Sequence, residues 1–149
     1  EHGLGVRWPR SYKRRDENNS SEIRSGGVVA YNFQPEFVAP IQSGVKTQTI
    51  RRSARCKTGD ELQLFTGQRT KACRQIGTAT CAICEPITIA DDYISVGMFR
   101  LPSGDAAHMA KIDGFQSLAA MRGWFRDRYG DLPFAGYRIM WNNFKSTDN

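Results

Sequence analysis

The sequence predicts an α+β domain: a small curled sheet or β-barrel of about five to seven strands, with two or three flanking helices. Two observations carry that prediction. Short alternating or β-branched segments dominate residues 28–99. The apolar period then changes: Leu118, Met121, Phe125 and Tyr129 recur at spacings of three and four, one face of a helix. The resulting order is strand, helix, several strands, helix, strand.

Each element has a local cause. Val28–Phe33 reads as a strand. Pro35 suits a first helical turn, Phe37, Val38 and Ile41 share a face, and Gly44 stops the helix. Lys57-Thr-Gly-Asp60 is a turn, after which Leu62, Leu64 and Thr66 alternate with Glu61, Gln63 and Phe65. Gly67-Gln68 turns the chain again, and Thr70–Arg74 is expected to pair back. A long β stretch, Ile76–Ile89, is expected to break at Glu85-Pro86, because proline cannot donate to a ladder. Tyr93–Phe99 reads as one more strand and Ala106–Ile112 as a helical turn. The periodic helix starts at Gln116 or Ser117 and ends at Gly130. Phe134–Trp141 is the last strand.

A chain of 149 residues with 40% hydrophobic content can bury one core. No apolar run approaches the roughly 18 residues that span a bilayer, so no membrane partner is expected. Residues 1–27 are rich in loop formers and lack an apolar period, which predicts a flexible basic N-terminal tail. Trp8-Pro9-Arg10 and Tyr12-Lys-Arg-Arg15 mix aromatics with cations and could touch nucleic acid, although an unstructured arm is the favoured reading. The domain is expected over residues 28–144, with a short C-terminal tail at 145–149.

The net charge is +6, and its location matters more than its size. Between Lys46 and Arg74 stand eight cations against two anions, as much net charge as the whole chain carries. That concentration suits a surface that tracks phosphates, although a solvated face is the bland reading. Cys56, Cys73, Cys81 and Cys84 are expected as reduced thiols of a cytoplasmic protein, since no apolar leader core precedes them. Cys81-Ala-Ile-Cys84 lies on a predicted strand, where residues three apart face opposite ways, so no metal site and no cofactor are expected.

Three segments together resemble the ASCH domain, a family of the PUA-like superfamily of small β-barrels associated with RNA. They are Ile41-Gln-Ser-Gly-Val-Lys-Thr-Gln-Thr-Ile-Arg51, Lys57-Thr-Gly-Asp-Glu-Leu-Gln-Leu64, and Ala110-Lys-Ile-Asp-Gly-Phe115 followed by Trp124-Phe125. The resemblance covers about residues 28–144. It implies a cleft lined by the Lys-Thr-x-Thr run and by the acidic position before Gly-Phe. Some small members are amidohydrolases of N4-acetylcytidine, and others are linked to RNA binding or cleavage. By resemblance, Lys46, Thr49 and Asp113 are the candidate catalytic residues. Asp113 stands where the amidohydrolases carry a glutamate, one methylene longer. The candidate ligand-binding set is Lys46, Thr47, Arg51, Arg52, Arg55 and Lys57.

The chemistry constrains these roles. A threonine hydroxyl needs a base, and a lysine serves as one only if burial or nearby cations lower its pKa. Arg51 and Arg52 would help, whereas Asp113 favours the ammonium. A charged amine would instead stabilise an oxyanion or hold a phosphate. The alternatives are a solvated Lys46, a Thr49 hydroxyl bonded to backbone, and an Asp113 that caps a helix. Arg51 suits a phosphate or base edge better than a lysine would. One of Phe33, Phe65, Tyr93 and Trp141 could stack a base. The expected function is binding of RNA or a nucleoside-sized ligand in a basic cleft. The alternatives are hydrolysis of modified cytidine, a ribonuclease, or an accessory module for a protein partner. Oligomeric state is left open, with a monomer favoured.

Limited proteolysis tests the boundary: it should trim residues 1–27 and leave a remainder that still unfolds cooperatively. Loss of the cooperative transition after trimming would place part of the core in that segment.

Overall fold

A computed structural model describes residues 27–147. The expected tail, apart from Gly27, lies outside the described residues. In chain order the elements are β1 (Val28–Phe33), a 3₁₀ turn (Pro35–Phe37) leading into α1 (Val38–Ser43), β2 (Gln48–Arg51), β3 (Glu61–Thr66) and β4 (Arg74–Ile89). Then follow β5 (Ile94–Val96), β6 (Phe99–Arg100), α2 (Ser103–Ile112), α3 (Leu118–Tyr129) and β7 (Phe134–Ser146).

The long strand β4 organises the sheet. One edge pairs antiparallel with β7 from Gly77 to Ile89. The other edge pairs with β3 through its first half and with β5 through Ile87–Ile89. β1 joins β3 in parallel, and β2 joins the far edge of β7 antiparallel. The path β1-β3-β4-β7-β2 therefore begins and ends on strands with no ladder between them. Register shifts between Thr78 and Thr80 and between Cys81 and Ile83 insert extra residues into the β4–β7 pair, and such bulges bend a sheet. The bend brings the two end strands within the reach of an arginine. The Arg51 guanidinium donates to Asn32 O at 2.8 Å, and that of Arg55 donates to Ala30 O. The sheet is curled, and side chains rather than a backbone ladder bridge its open seam.

The α+β class holds, with seven strands and three α-helices among the described residues, but the sheet is not a closed barrel. The last strand runs to Ser146 rather than Trp141, because Lys145 and Ser146 pair with Thr78 and Gly77 and so belong to β7 instead of a tail. Three further local expectations need correction. β4 runs unbroken through Pro86, because that residue contributes its carbonyl, which accepts from Gly97 N at 2.9 Å, and its missing N–H is not called on there. Residues 93–99 form two short strands around Gly97, whose φ of 62° reverses the chain. Thr70 does not start a strand: its hydroxyl and carbonyl hold a turn that lasts to Cys73. The predicted stops are present. Gly44 closes α1 in the left-handed region, Ser117 Oγ accepts from Ala120 N at the start of α3, and Gly130 ends it.

Two apolar clusters fill the interior. One joins β1, α1, β3, the first half of β4 and β7 through Tyr31, Phe33, Ile41, Leu62, Leu64, Ile76 and Ile139. The other joins β2, the second half of β4, β5, α2 and α3 through Ile50, Ile87, Ile89, Met109, Met121 and Phe125. Phe115 and Trp124 pack against both.

Close strand approach at the β2 end depends on Gly136. A Cβ there would collide with Arg51 O and sit 2.8 Å from the Phe134 ring. Gly136→Ala should push β2 off β7 and destabilise the domain by about 1–3 kcal/mol, as overpacking does. Chemical denaturation measures this, and an unchanged midpoint would show that β2 moves freely.

Candidate functional site

The seam between β1 and β2 opens into a cleft of about 500 Å³, its mouth included. Phe33 and Asn32 of β1, Thr49 and Arg51 of β2, and Trp124, Arg128 and Tyr129 of α3 form its walls. Lys46 and Asp113 lie at its buried base.

Local sequence explains how a lysine becomes buried. After Gly44 the chain folds back, with Lys46 N donating to Pro40 O at 2.9 Å. Thr47 N then donates to Ile112 O at 2.8 Å, one of the carbonyls that the end of α2 leaves without an intrahelical partner. The Lys46 amine takes the next carbonyl, Asp113 O, and also donates to Gln48 O at 2.8 Å. A cation at a helix C-terminus meets the negative end of the helix dipole. The amine also lies 4.7 Å from the centre of the Phe37 ring.

The Asp-Gly-Phe element forms the other half. Asp113 caps α2, Gly114 N donates to Lys111 O, and Phe115 N donates to Ala110 O, the paired bonds of a helix stop that needs a left-handed residue. Gly114 supplies it with φ 98°, and a Cβ there would lie 3.1 Å from Lys46 Cδ. The glycine thus lets both the turn and the lysine stem occupy the same place. Phe115 then joins Phe37 and Trp124 in an aromatic group with ring centres 5.5–5.9 Å apart.

The electrostatics follow from burial. Lys46 and Asp113 are 2% and 3% exposed, so the solvated-lysine alternative does not hold. Desolvation pushes the Lys46 amine down to about 8, with Arg51 adding repulsion and Asp113 opposing the shift. Desolvation likewise raises the Asp113 carboxyl, while Lys46, Gln48 and Arg51 act against that rise. The amine stands 3.7 Å from Asp113 Oδ1, a looser contact than its two carbonyl bonds. Two carbonyl acceptors therefore anchor the nitrogen. The remaining position holds a third N–H when the amine is charged and a lone pair when it is neutral.

On β2 the two-residue period sorts the side chains. Thr49 and Arg51 share a face, and Arg51 Nε donates to Thr49 Oγ1 at 3.0 Å. The alternative of a Thr49 hydroxyl bonded to backbone is replaced by this side-chain contact, which leaves the threonine its own proton to donate. The Arg51 guanidinium stacks over Tyr31 and Phe33 at 4.9 and 4.8 Å. Burial lowers its pKa, but a guanidinium remains a cation.

The other residues singled out in the sequence lie elsewhere. Thr47 is spent on backbone pairing, with its carbonyl accepting from Trp141 N. Arg52 lies over Tyr129 and Phe134, Arg55 lies over Tyr31, and Lys57 belongs to the turn held by Asp60. None of these four lines the cleft. Of the four aromatics weighed for stacking, Phe33 lines the cleft; Trp141 is buried behind it, and Tyr93 lies under Arg100. Cys81 of the Cys-x-x-Cys pair faces Cys56, with 3.8 Å between their sulfurs. The contact with Cys56, together with burial, raises the Cys81 thiol and keeps it protonated. Among the described residues no three His, Cys, Asp or Glu side chains are placed to hold a metal.

Sequence reading missed Gln48, Arg128 and the Phe37–Phe115–Trp124 group. Gln48 is fully buried, with Nε2 donating to Asp113 Oδ1 at 3.0 Å. Its signal was available: on a strand it shares a face with Ile50. Arg128 follows Trp124 by four residues, one helical turn, and its guanidinium lies 5.4 Å from that ring.

No family model matches the chain, and no curated protein does. Among solved structures it is similar to the crystal structure of ASCH from Zymomonas mobilis, with a TM-score of 0.52 and 16% identity over 83% of this chain and 71% of that one. A serine-to-alanine variant of the same Zymomonas mobilis protein aligns with a TM-score of 0.51 and 15% identity, over 85% of this chain and 78% of that one. At such identity the likeness is one of fold: the chain has an α+β fold like that of the Zymomonas mobilis ASCH protein.

Proposed function

We propose that the cleft binds a nucleoside-sized ligand, either free or as one nucleotide of an RNA. The observation that supports this most is the pairing of a buried amine at the base with aromatic rings and arginines on the walls. A base has a π-face for Phe33, Trp124 or Tyr129, and polar edges for Thr49 and the Lys46 amine. A phosphate suits Arg128 at the exposed rim, and Arg51 uses two of its five N–H groups in the bonds described above.

A second reading, hydrolysis of an acylated cytidine, is favoured by one specific observation. An amine near 8 is deprotonated in part at neutral pH, and Thr49 Oγ1 already accepts from a cation that would stabilise its alkoxide. Lys46 would take the threonine proton, Thr49 would attack the acyl carbon, and the amine would return the proton to the departing nitrogen. Water would then release the acyl group.

The two readings have opposite pH signs. A binding role that uses the ammonium predicts nucleotide affinity, read by calorimetry with cytidine 5′-monophosphate, that falls as pH rises through about 8. A base role predicts N4-acetylcytidine turnover that rises through the same pH and disappears in Thr49→Ala. Flat profiles in both assays would remove Lys46 from the function.

Arg128→Gln supplies a separate check, because an exposed rim residue can be changed at little cost in stability. Affinity for cytidine 5′-monophosphate should fall by about threefold to tenfold, a loss of roughly 1 kcal/mol, with a shallower salt dependence and little change for cytidine. Equal loss for both ligands would place the phosphate elsewhere.

A further inference from the structure

Behind the cleft a line of polar side chains crosses three strands. Glu85 of β4 and Arg138 of β7 stand directly opposite each other, and Arg138 Nη1 donates to Glu85 Oε2 at 3.2 Å. Arg138 Nε donates to Gln48 Oε1 on β2 at 3.0 Å, and Gln48 Nε2 donates to Asp113 Oδ1 at 3.0 Å. The Lys46 amine closes the line on the Asp113 backbone carbonyl.

The sense of the Gln48 amide follows from its partners. An arginine can only donate, so the amide oxygen must face Arg138 and the amide N–H must face Asp113. A flipped amide would set N–H against N–H on one side and oxygen against oxygen on the other. Because Gln48 is fully buried, no water relieves such a mismatch. A donor held against Oδ1 favours the ionised carboxylate.

We propose that Arg138 and Gln48 are positioning residues: Arg138, anchored on Glu85, fixes the Gln48 amide so that it holds Asp113 as a carboxylate beside Lys46. Neither touches a ligand in the cleft. The inference rests on reading Lys46 as the working group of the cleft, but it concerns the unliganded protein. The charged groups that bear on the lysine and its carboxylate partner are Asp113 from the α2 end, Arg51 on β2 and Lys46 itself, so a change at Arg138 reaches the amine through Gln48.

The test is NMR titration of the Lys46 ε-amine, assigned by its loss in Lys46→Met, in wild type and in Arg138→Met. Without its anchor the amide no longer holds the carboxylate, the carboxyl protonates more readily, and the ammonium loses its partner. The Lys46 midpoint should therefore fall by about 0.5 pH unit or more, while Arg138→Lys, which can still donate to Oε1, restores it. A second measurement needs no variant: the Gln48 side-chain N–H signals of wild type should move with the midpoint of Lys46. An unchanged midpoint in a folded Arg138→Met, or Gln48 signals that stay still while Lys46 titrates, overturns the proposal. Absence of nucleotide binding or turnover with the shift intact would instead sink the proposed function and leave this network standing.

Discussion

The rest of the site depends on one contact: the Lys46 amine capping the carbonyl end of α2. A lysine is costly to bury, and here two backbone carbonyls, the helix dipole and a loose carboxylate offset that cost. The same contact joins segments 67 residues apart and sets where α2 ends, where Gly114 turns, and where Phe115 and Trp124 can pack. Because Gly114 approaches the lysine stem so closely, the turn and the burial are one packing solution.

The cleft exists because the sheet does not close. A backbone ladder between β1 and β2 would fill the seam and satisfy the strand edges. Instead, arginines from β2 and the segment after it reach across to the carbonyls of β1. The guanidinium that bridges the seam at Asn32 also contacts Thr49 and two aromatic rings. Edge protection and site construction therefore use the same residue, and a change at Arg51 alters both. Arg52 and Arg55 belong to the same basic run yet pack on aromatic rings, and Arg55 on the β1 edge, rather than forming cleft walls.

Much of this was legible from local pattern. The helix face through Met121 and Phe125, the stops at Gly44 and Gly130, and the alternation in Leu62, Leu64 and Thr66 all report forces that act over one or two turns of chain. Errors arose where a neighbour decided. Pro86 stays in a strand because its carbonyl is the group that Gly97 needs. The segment from Tyr93 to Phe99 splits because a turn at Gly97 lets its second half pair with its first. Gln48 escaped notice because an amide in a polar run looks like a surface residue until both ends have partners.

By itself the sequence determined which residue types stand at the chemistry-bearing positions: a lysine two residues past a helix stop, a threonine and an arginine on one face of a short strand, and an aspartate before a glycine that can turn left-handed. These are properties of spacing, backbone freedom and functional group, and they travel with the chain. Only the tertiary structure decided that the lysine is buried and titrates well below its ordinary range, because desolvation pushes the amine down while an aspartate brought from another segment opposes the shift and a neighbouring arginine adds to it. It also decided the sense of the Gln48 amide, since a donor 90 residues away selects which end faces Asp113. Charge state and hydrogen-bond direction depend on what surrounds a group in space, and no local pattern carries that information.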